Sequence, residues 1–154
     1  MKPIFSLFIA FFIIISCNKK AADTTNASIK TDTILQKDGK ILTYNVYEGT
    51  LMKAKRDRTI YNEKYLKRIG KLVEYYLDKT TLNSVKSQLE NPNAKLGYSI
   101  EQTEWEGVIY TQIGLYNRPK DNIYTFLWLF YNPKTQQLYE FDVPKNKPIL
   151  FQFK

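Results

Sequence analysis

Four short separators cut the chain from Lys95 onward into five apolar-patterned runs, and this punctuation constrains the fold more than any other feature of the sequence. The separators are Glu106-Gly107, Asn117-Arg118-Pro119-Lys120-Asp121, Pro133-Lys134-Thr135-Gln136 and Pro144-Lys145-Asn146-Lys147-Pro148. Gly, Pro, Asn and Asp supply the backbone angles and local side-chain bonds that turns require. The runs Gly97–Trp105, Val108–Tyr116, Asn122–Asn132, Gln137–Val143 and Ile149–Phe153 are rich in β-branched and aromatic residues, the mark of strands. A parallel return needs a dozen or more residues, so connections this short predict an antiparallel meander.

Ile123–Tyr131 is apolar on both alternations, whereas Gln137–Val143 mostly alternates. The first therefore reads as a central strand covered on both faces and the second as half exposed. A cover is available upstream. Between Arg58 and Leu77, Leu66, Ile69, Val73, Tyr76 and Leu77 recur at spacings of three and four, one face of an amphipathic helix. A shorter helix follows, with Thr80 or Thr81 as cap, Leu82, Val85 and Leu89 along one stripe, and Asn91-Pro92-Asn93 as its stop. Before these, Asp38-Gly39 between Thr33–Gln36 and Ile41–Tyr47 signals a hairpin.

The fold class is thus α+β, an antiparallel meander sheet packed on one or two helices. Its element order looks like the cystatin-like or nuclear-transport-factor-like roll, as an analogy of architecture that carries no function.

The N-terminus has a different logic. Met1-Lys2-Pro3 leads into the apolar run Ile4–Ile15, which stops at Ser16-Cys17-Asn18, well short of the about 20 apolar residues a spanning helix needs. The tetrapeptide Ile14-Ile15-Ser16-Cys17 resembles the lipobox of bacterial lipoproteins. That resemblance implies cleavage before Cys17, acylation of its thiol and amino terminus, and a lipid bilayer as the first partner. Asn18 in place of Asp implies, by the same resemblance, the periplasmic face of the outer membrane. The chain then divides into a signal peptide (1–16), a lipidated Cys and polar tether (17–32) and a single α+β domain (33–154). Asp23-Thr24-Thr25 and Asp32-Thr33-Ile34 look like the O-glycosylation acceptor motif of bacteroidete lipoproteins, which makes Thr24 and Thr33 candidate acceptors against a reading as ordinary polar linker.

Composition then excludes chemistry. The 154 residues include no His and one Cys. Ser-His-Asp and Cys-His triads, zinc sites built on His or Cys, and His-mediated proton transfer are therefore out of reach, and no intramolecular disulfide can form. No metal and no cofactor is expected. The six glycines stand singly, so no phosphate-cradling loop is present. A carboxylate mechanism survives on paper through Glu101, Glu104, Glu106, Glu140 and Asp142, where residues two apart share a strand face; the plainer reading is a solvated sheet face.

Two surface constellations remain. Lys53, Lys55, Arg56 and Arg58, continued by Lys64, Lys67, Arg68 and Lys71, concentrate the net charge of +8 and suit anionic lipid, lipopolysaccharide or an acidic partner, or simply a solvated helix face. Nucleic acid fits the charge but not an exported, tethered protein. Twelve Tyr, nine Phe and two Trp are the other excess. Tyr98, Trp105, Tyr110 and Tyr116, on polar-rich strands, are candidates for a binding surface, against the alternative that they pack as core. Three functions follow as expectations: a non-enzymatic accessory or immunity-type lipoprotein for an envelope protein partner, a glycan-binding module or carboxylate hydrolase, and a structural lipoprotein held to anionic lipid.

Overall fold

The computed structural model describes residues 29–55, 61–120 and 122–154. Its order is β1 (Thr31–Leu35), β2 (Ile41–Asn45), β3 (Met52–Lys55), α1 (Glu63–Lys79), α2 (Asn83–Glu90), β4 (Leu96–Trp105), β5 (Val108–Asn117), β6 (Tyr124–Asn132), β7 (Gln137–Asp142) and β8 (Lys147–Leu150). The α+β class is as the sequence predicts, with the helices packed against an open, mostly antiparallel sheet.

β1 and β2 form a separate antiparallel hairpin, closed by a turn in which Gly39 takes φ +84 and Asp38 accepts from the Lys40 N–H at 3.0 Å. The main sheet is six-stranded in the order β3-β4-β5-β6-β7-β8. Its last five strands are the predicted meander. β3 is an addition, pairing parallel to β4 with Met52 beside Gly97 and Lys55 beside Ile100. Its four residues, Met-Lys-Ala-Lys, run into the basic cluster that begins at Lys53 and carry too little apolar signal to be read as a strand.

α1 starts where Asn62 accepts the Tyr65 N–H at 2.8 Å, with Glu63 in its first turn and Lys79 in its last, both favourable to the helix dipole. Thr80, expected to open the second helix, instead ends the first: its N–H donates to Tyr76 O at 2.9 Å. Its hydroxyl receives the Leu82 N–H at 3.2 Å, which steers the chain into α2.

α1 buries more than the predicted stripe. Leu72 and Tyr75 join Ile69, Val73, Tyr76 and Leu77, because the helix lies between two layers. The sheet supplies Tyr98, Ile100, Ile113, Leu115, Leu129, Tyr131 and Leu138, and the hairpin supplies Ile34, Leu42 and Tyr44. Each fully buried aliphatic side chain contributes about 1.5–3 kcal/mol. No disulfide is needed to hold this core.

Arg68 ties the three layers. Its guanidinium donates to Leu35 O in the hairpin at 3.0 Å, to the Tyr131 hydroxyl in β6 at 3.0 Å and to Gln136 Oε1 in the β6–β7 turn at 2.7 Å. Asp32, read from sequence as the last tether residue, lies within β1, where it pairs with Lys71 at 2.8 Å and accepts from the Tyr44 hydroxyl at 3.1 Å.

Candidate functional site

Alternation assigns the side chains of the main sheet to two faces. Tyr98, Ile100, Ile113, Leu115, Leu129, Tyr131 and Leu138 face the helices. The residues between them, Ser99, Glu101, Thr103 and Trp105 on β4, Tyr110, Gln112, Gly114 and Tyr116 on β5, Trp128 and Phe130 on β6, and Tyr139 and Phe141 on β7, form the opposite face.

That opposite face is aromatic. Phe130 and Phe141 stack with centroids 5.0 Å apart, Trp105 meets Phe141 edge-on at 5.5 Å, and Tyr110 contacts Phe130 at 5.6 Å and Tyr139 at 5.8 Å. The sheet therefore covers β6 on this side with its own side chains. Phe130 and Tyr110 are buried, while Trp105, Trp128, Tyr139 and Phe141 stay half-buried and present ring surface outward.

The four aromatic candidates part company here. Tyr98 is 1% exposed and points under the helix, where burial, and after it the Glu74 charge, pushes its hydroxyl up to about 12. Tyr116 is 4% exposed and lies against Gly97, its hydroxyl donating to Met52 O at 3.3 Å. Neither can present a ring to a partner. Tyr110, 8% exposed, props the cluster from below, so only Trp105 stands as a half-open contact residue. Sequence reasoning missed Trp128, Phe130, Tyr139 and Phe141. The signal was available: each pair sits two apart on one strand, and so shares one face.

The basic candidates also divide. Arg56 and Arg58 lie outside the described residues, as do Cys17 and Thr24, and Lys55 is described only as backbone in β3. Arg68 and Lys71 are committed to internal bonds with Tyr131, Leu35, Gln136, Asp32 and Thr33 O, which corrects their reading as free contacts for an anion. Lys53, Lys64 and Lys67 remain exposed. Thr33 is exposed on the outer face of β1.

The acids are dispersed. Glu140 turns toward α1 and accepts from the Tyr76 hydroxyl at 2.8 Å. Asp142 accepts the Lys145 N–H at 3.1 Å and pairs with its ammonium at 2.7 Å, which holds its carboxyl below the usual range. Glu106 sits in the β4–β5 turn with φ 49, not on a strand face beside Glu104. Glu104 and Glu106 therefore do not share a strand face, while Glu140 and Asp142, on one face of β7, are each engaged in a structural bond. Among the described residues no group of three or more acids is placed to hold a metal ion.

Two open grooves flank the hairpin. One, of about 700 Å³, runs between β2, the end of α1 and α2, and is lined by Glu48, Glu74, Asp78 and Glu90 together with Val46, Leu77 and Leu89. Asp78 there already accepts from Asn45 N at 3.1 Å and Asn45 Nδ2 at 3.0 Å, and pairs with Lys79. The other, of about 500 Å³, lies between the hairpin turn and the last residues, over Phe151 and Phe153.

Comparison with family models, with curated proteins and with solved structures gives no match to this chain. The functional reading therefore rests on the residues themselves.

Proposed function

We propose that the chain is a lipid-anchored, non-catalytic binding protein of a bacterial envelope, held through Cys17 at the periplasmic face of the outer membrane, and that the open sheet face is its contact surface. The observation that carries this is the set of half-buried rings of Trp105, Trp128, Tyr139 and Phe141 on the face that the helices leave free. Rigid aromatic side chains lose little rotamer entropy on association and concentrate binding energy in few residues. The lipobox-like Ile14-Ile15-Ser16-Cys17 supports the anchor. The basic face of α1 is less favoured, since Arg68 and Lys71 are spent inside the fold. The carboxylate route is less favoured for the same kind of reason, with Glu140 and Asp142 engaged in structural bonds.

The test combines localisation with site-specific photo-crosslinking in intact envelopes. Replacing Cys17 with Ser is expected to release the protein from the membrane fraction. A photo-reactive residue at position 105 is expected to form discrete adducts that the same residue at the exposed positions 64 and 67 of α1 does not. Adducts from 64 and 67 alone would overturn the face assignment, and a Cys17→Ser protein that stays in carbonate-washed membranes would overturn the anchor.

A further inference from the structure

Resting on the reading of the open face as the contact surface, we propose that its ligand is a neutral oligosaccharide, seated on Trp128 and recognised by Glu101 and Gln112. These residues occupy two adjacent rows across the central strands. Ser99 pairs with Gly114, which pairs with Trp128; Glu101 pairs with Gln112, which pairs with Phe130.

Gly114 sets the geometry of the first row. A Cβ there would lie 2.6 Å from Trp128 Cζ3 and 2.8 Å from Ser99 Oγ, so the benzene half of the indole rests directly on the β5 backbone. The ring is half-buried and keeps part of its surface on the open side. An accessible aromatic ring on a sheet is what the C–H face of a pyranose stacks on.

The polar side chains around it are unused. Ser99 is closed off beneath this face, 1% exposed, and its Oγ has no hydrogen-bond partner; the accessible groups are those of Glu101, Gln112 and Trp128. Among the described residues, no hydrogen bond or ion pair engages the Glu101 carboxylate, the Gln112 amide or the Trp128 indole N–H. Some polar groups of the sheet are spent inside the fold: Glu140 on Tyr76, Asp142 on Lys145, Asn117 on Gln88 and Tyr124. A carboxylate, a primary amide and an indole N–H on neighbouring strands provide both donors and acceptors, which vicinal sugar hydroxyls need. An acyl chain would leave all three unpaired at a desolvation cost. A phosphate or uronate would meet the Glu101 charge with no cation among these side chains to offset it. Aromatic content alone is equally suited to a protein partner; the unpaired polar set is what favours the glycan.

The experiment uses the full lipidated chain in a sugar-free detergent, with the two indole N–H resonances as reporters and the Trp128 peak assigned by its loss in Trp128→Phe. The probes are tetrasaccharides of glucose, of N-acetylglucosamine and of mannose, with tetragalacturonate as the anionic control. We expect saturable movement of the Trp128 peak by at least one neutral probe at about 0.1–1 mM. Affinity should fall at least fivefold in Gln112→Ala and in Glu101→Gln, with unchanged melting temperature, and tetragalacturonate should produce no saturable shift. No saturable shift from any neutral probe up to about 10 mM, or equal binding of the galacturonate, would overturn the proposal. A silent titration accompanied by a discrete protein adduct from position 105 would leave the contact face standing and give it a protein ligand instead. A silent titration with no such adduct would remove both.

Discussion

The ring centroids of Trp105 and Phe141 lie 5.5 Å apart although β5 and β6 run between their strands. Strands in a sheet are spaced about 4.8 Å, so β4 and β7 would stand about 14 Å apart if the sheet were flat. The contact therefore requires the long β4–β5 hairpin to coil toward the open face and close a second, aromatic cluster there. If this cluster is a packing unit, its pairs couple energetically. A double-mutant cycle of Trp105→Ala and Phe141→Ala, read by chemical denaturation, should return a coupling of about 0.5–1.5 kcal/mol. Strict additivity would show that the two rings meet without stabilising the coil.

Arg68 should behave as a three-way structural tie and not as a surface charge. Arg68→Met strands the Tyr131 hydroxyl, Leu35 O and Gln136 Oε1 together, all now bonded to one guanidinium. The expected loss is about 2–4 kcal/mol of unfolding free energy. Arg68→Lys should recover little of it, because an ammonium cannot reproduce three bonds from a planar fork. Lys67→Met, one residue away on the exposed side, should shift stability by less than about 0.5 kcal/mol. An Arg68→Lys protein as stable as the parent would show that charge, not geometry, is what the site uses.

Tyr98 offers a substitution that should stabilise. Its hydroxyl is buried without a hydrogen-bond partner, directed at the backbone of α1 where a Cβ on Gly70 would come within 3.2 Å. Tyr98→Phe removes an unsatisfied group and keeps the ring, so unfolding free energy should rise by about 1 kcal/mol. The same change relieves the tight contact at Gly70, making Gly70→Ala more favourable when combined with Tyr98→Phe than alone, through the better helix propensity of Ala. A Tyr98→Phe protein less stable than the parent by denaturant titration would mean that the hydroxyl is in fact satisfied.

The meander was legible because its connections are short and carry their own turn chemistry, as at Glu106-Gly107 and Pro133–Gln136. The position of the β1–β2 hairpin was not. An Asp-Gly turn specifies two paired strands but says nothing of the surface they cover, and only the burial of Leu72 and Tyr75 reveals that α1 carries a layer on each side. β3 escaped for another reason: a short parallel strand takes its stability from pairing with β4 far along the chain, and that pairing leaves no periodicity in Met52–Lys55. The aromatic site was half legible. Strand alternation separates Tyr98 from Ser99 and Glu101 once the helix-facing register is known, but with Ile123–Tyr131 apolar on both alternations the register had no polar marker to fix it. Coiling of the sheet, which brings Trp105 to Phe141, depends on packing among strands and lay beyond any local pattern.

The acids around Tyr44 should give stability two opposed dependences on pH. Hydrogen bonding to Lys71, then to the Thr33 N–H, holds the Asp32 carboxyl below 3.8. Asp78 is pushed up by burial but more strongly down by Lys79 and Asn45, and also ends below 3.8. Both contribute stability that is present above 3.8 and is lost as pH falls through their lowered values. Glu74 is raised above 4.5 by burial and then by the Asp32 charge, so the folded protein holds its proton longer than the unfolded chain does. Its contribution has the opposite sign: stability is gained as pH falls through the raised value and declines as pH climbs from 4.5 through it. Glu74→Gln keeps the shape and removes the charge, and so should flatten the decline on the alkaline side of 4.5 while leaving the acid limb intact. Asp32→Asn should shallow the acid limb and, by removing a negative charge that raises Glu74, shift the decline to lower pH. Melting temperatures of the three proteins across the acid range decide it: an unchanged alkaline slope in Glu74→Gln would show that Glu74 titrates as an ordinary surface carboxylate.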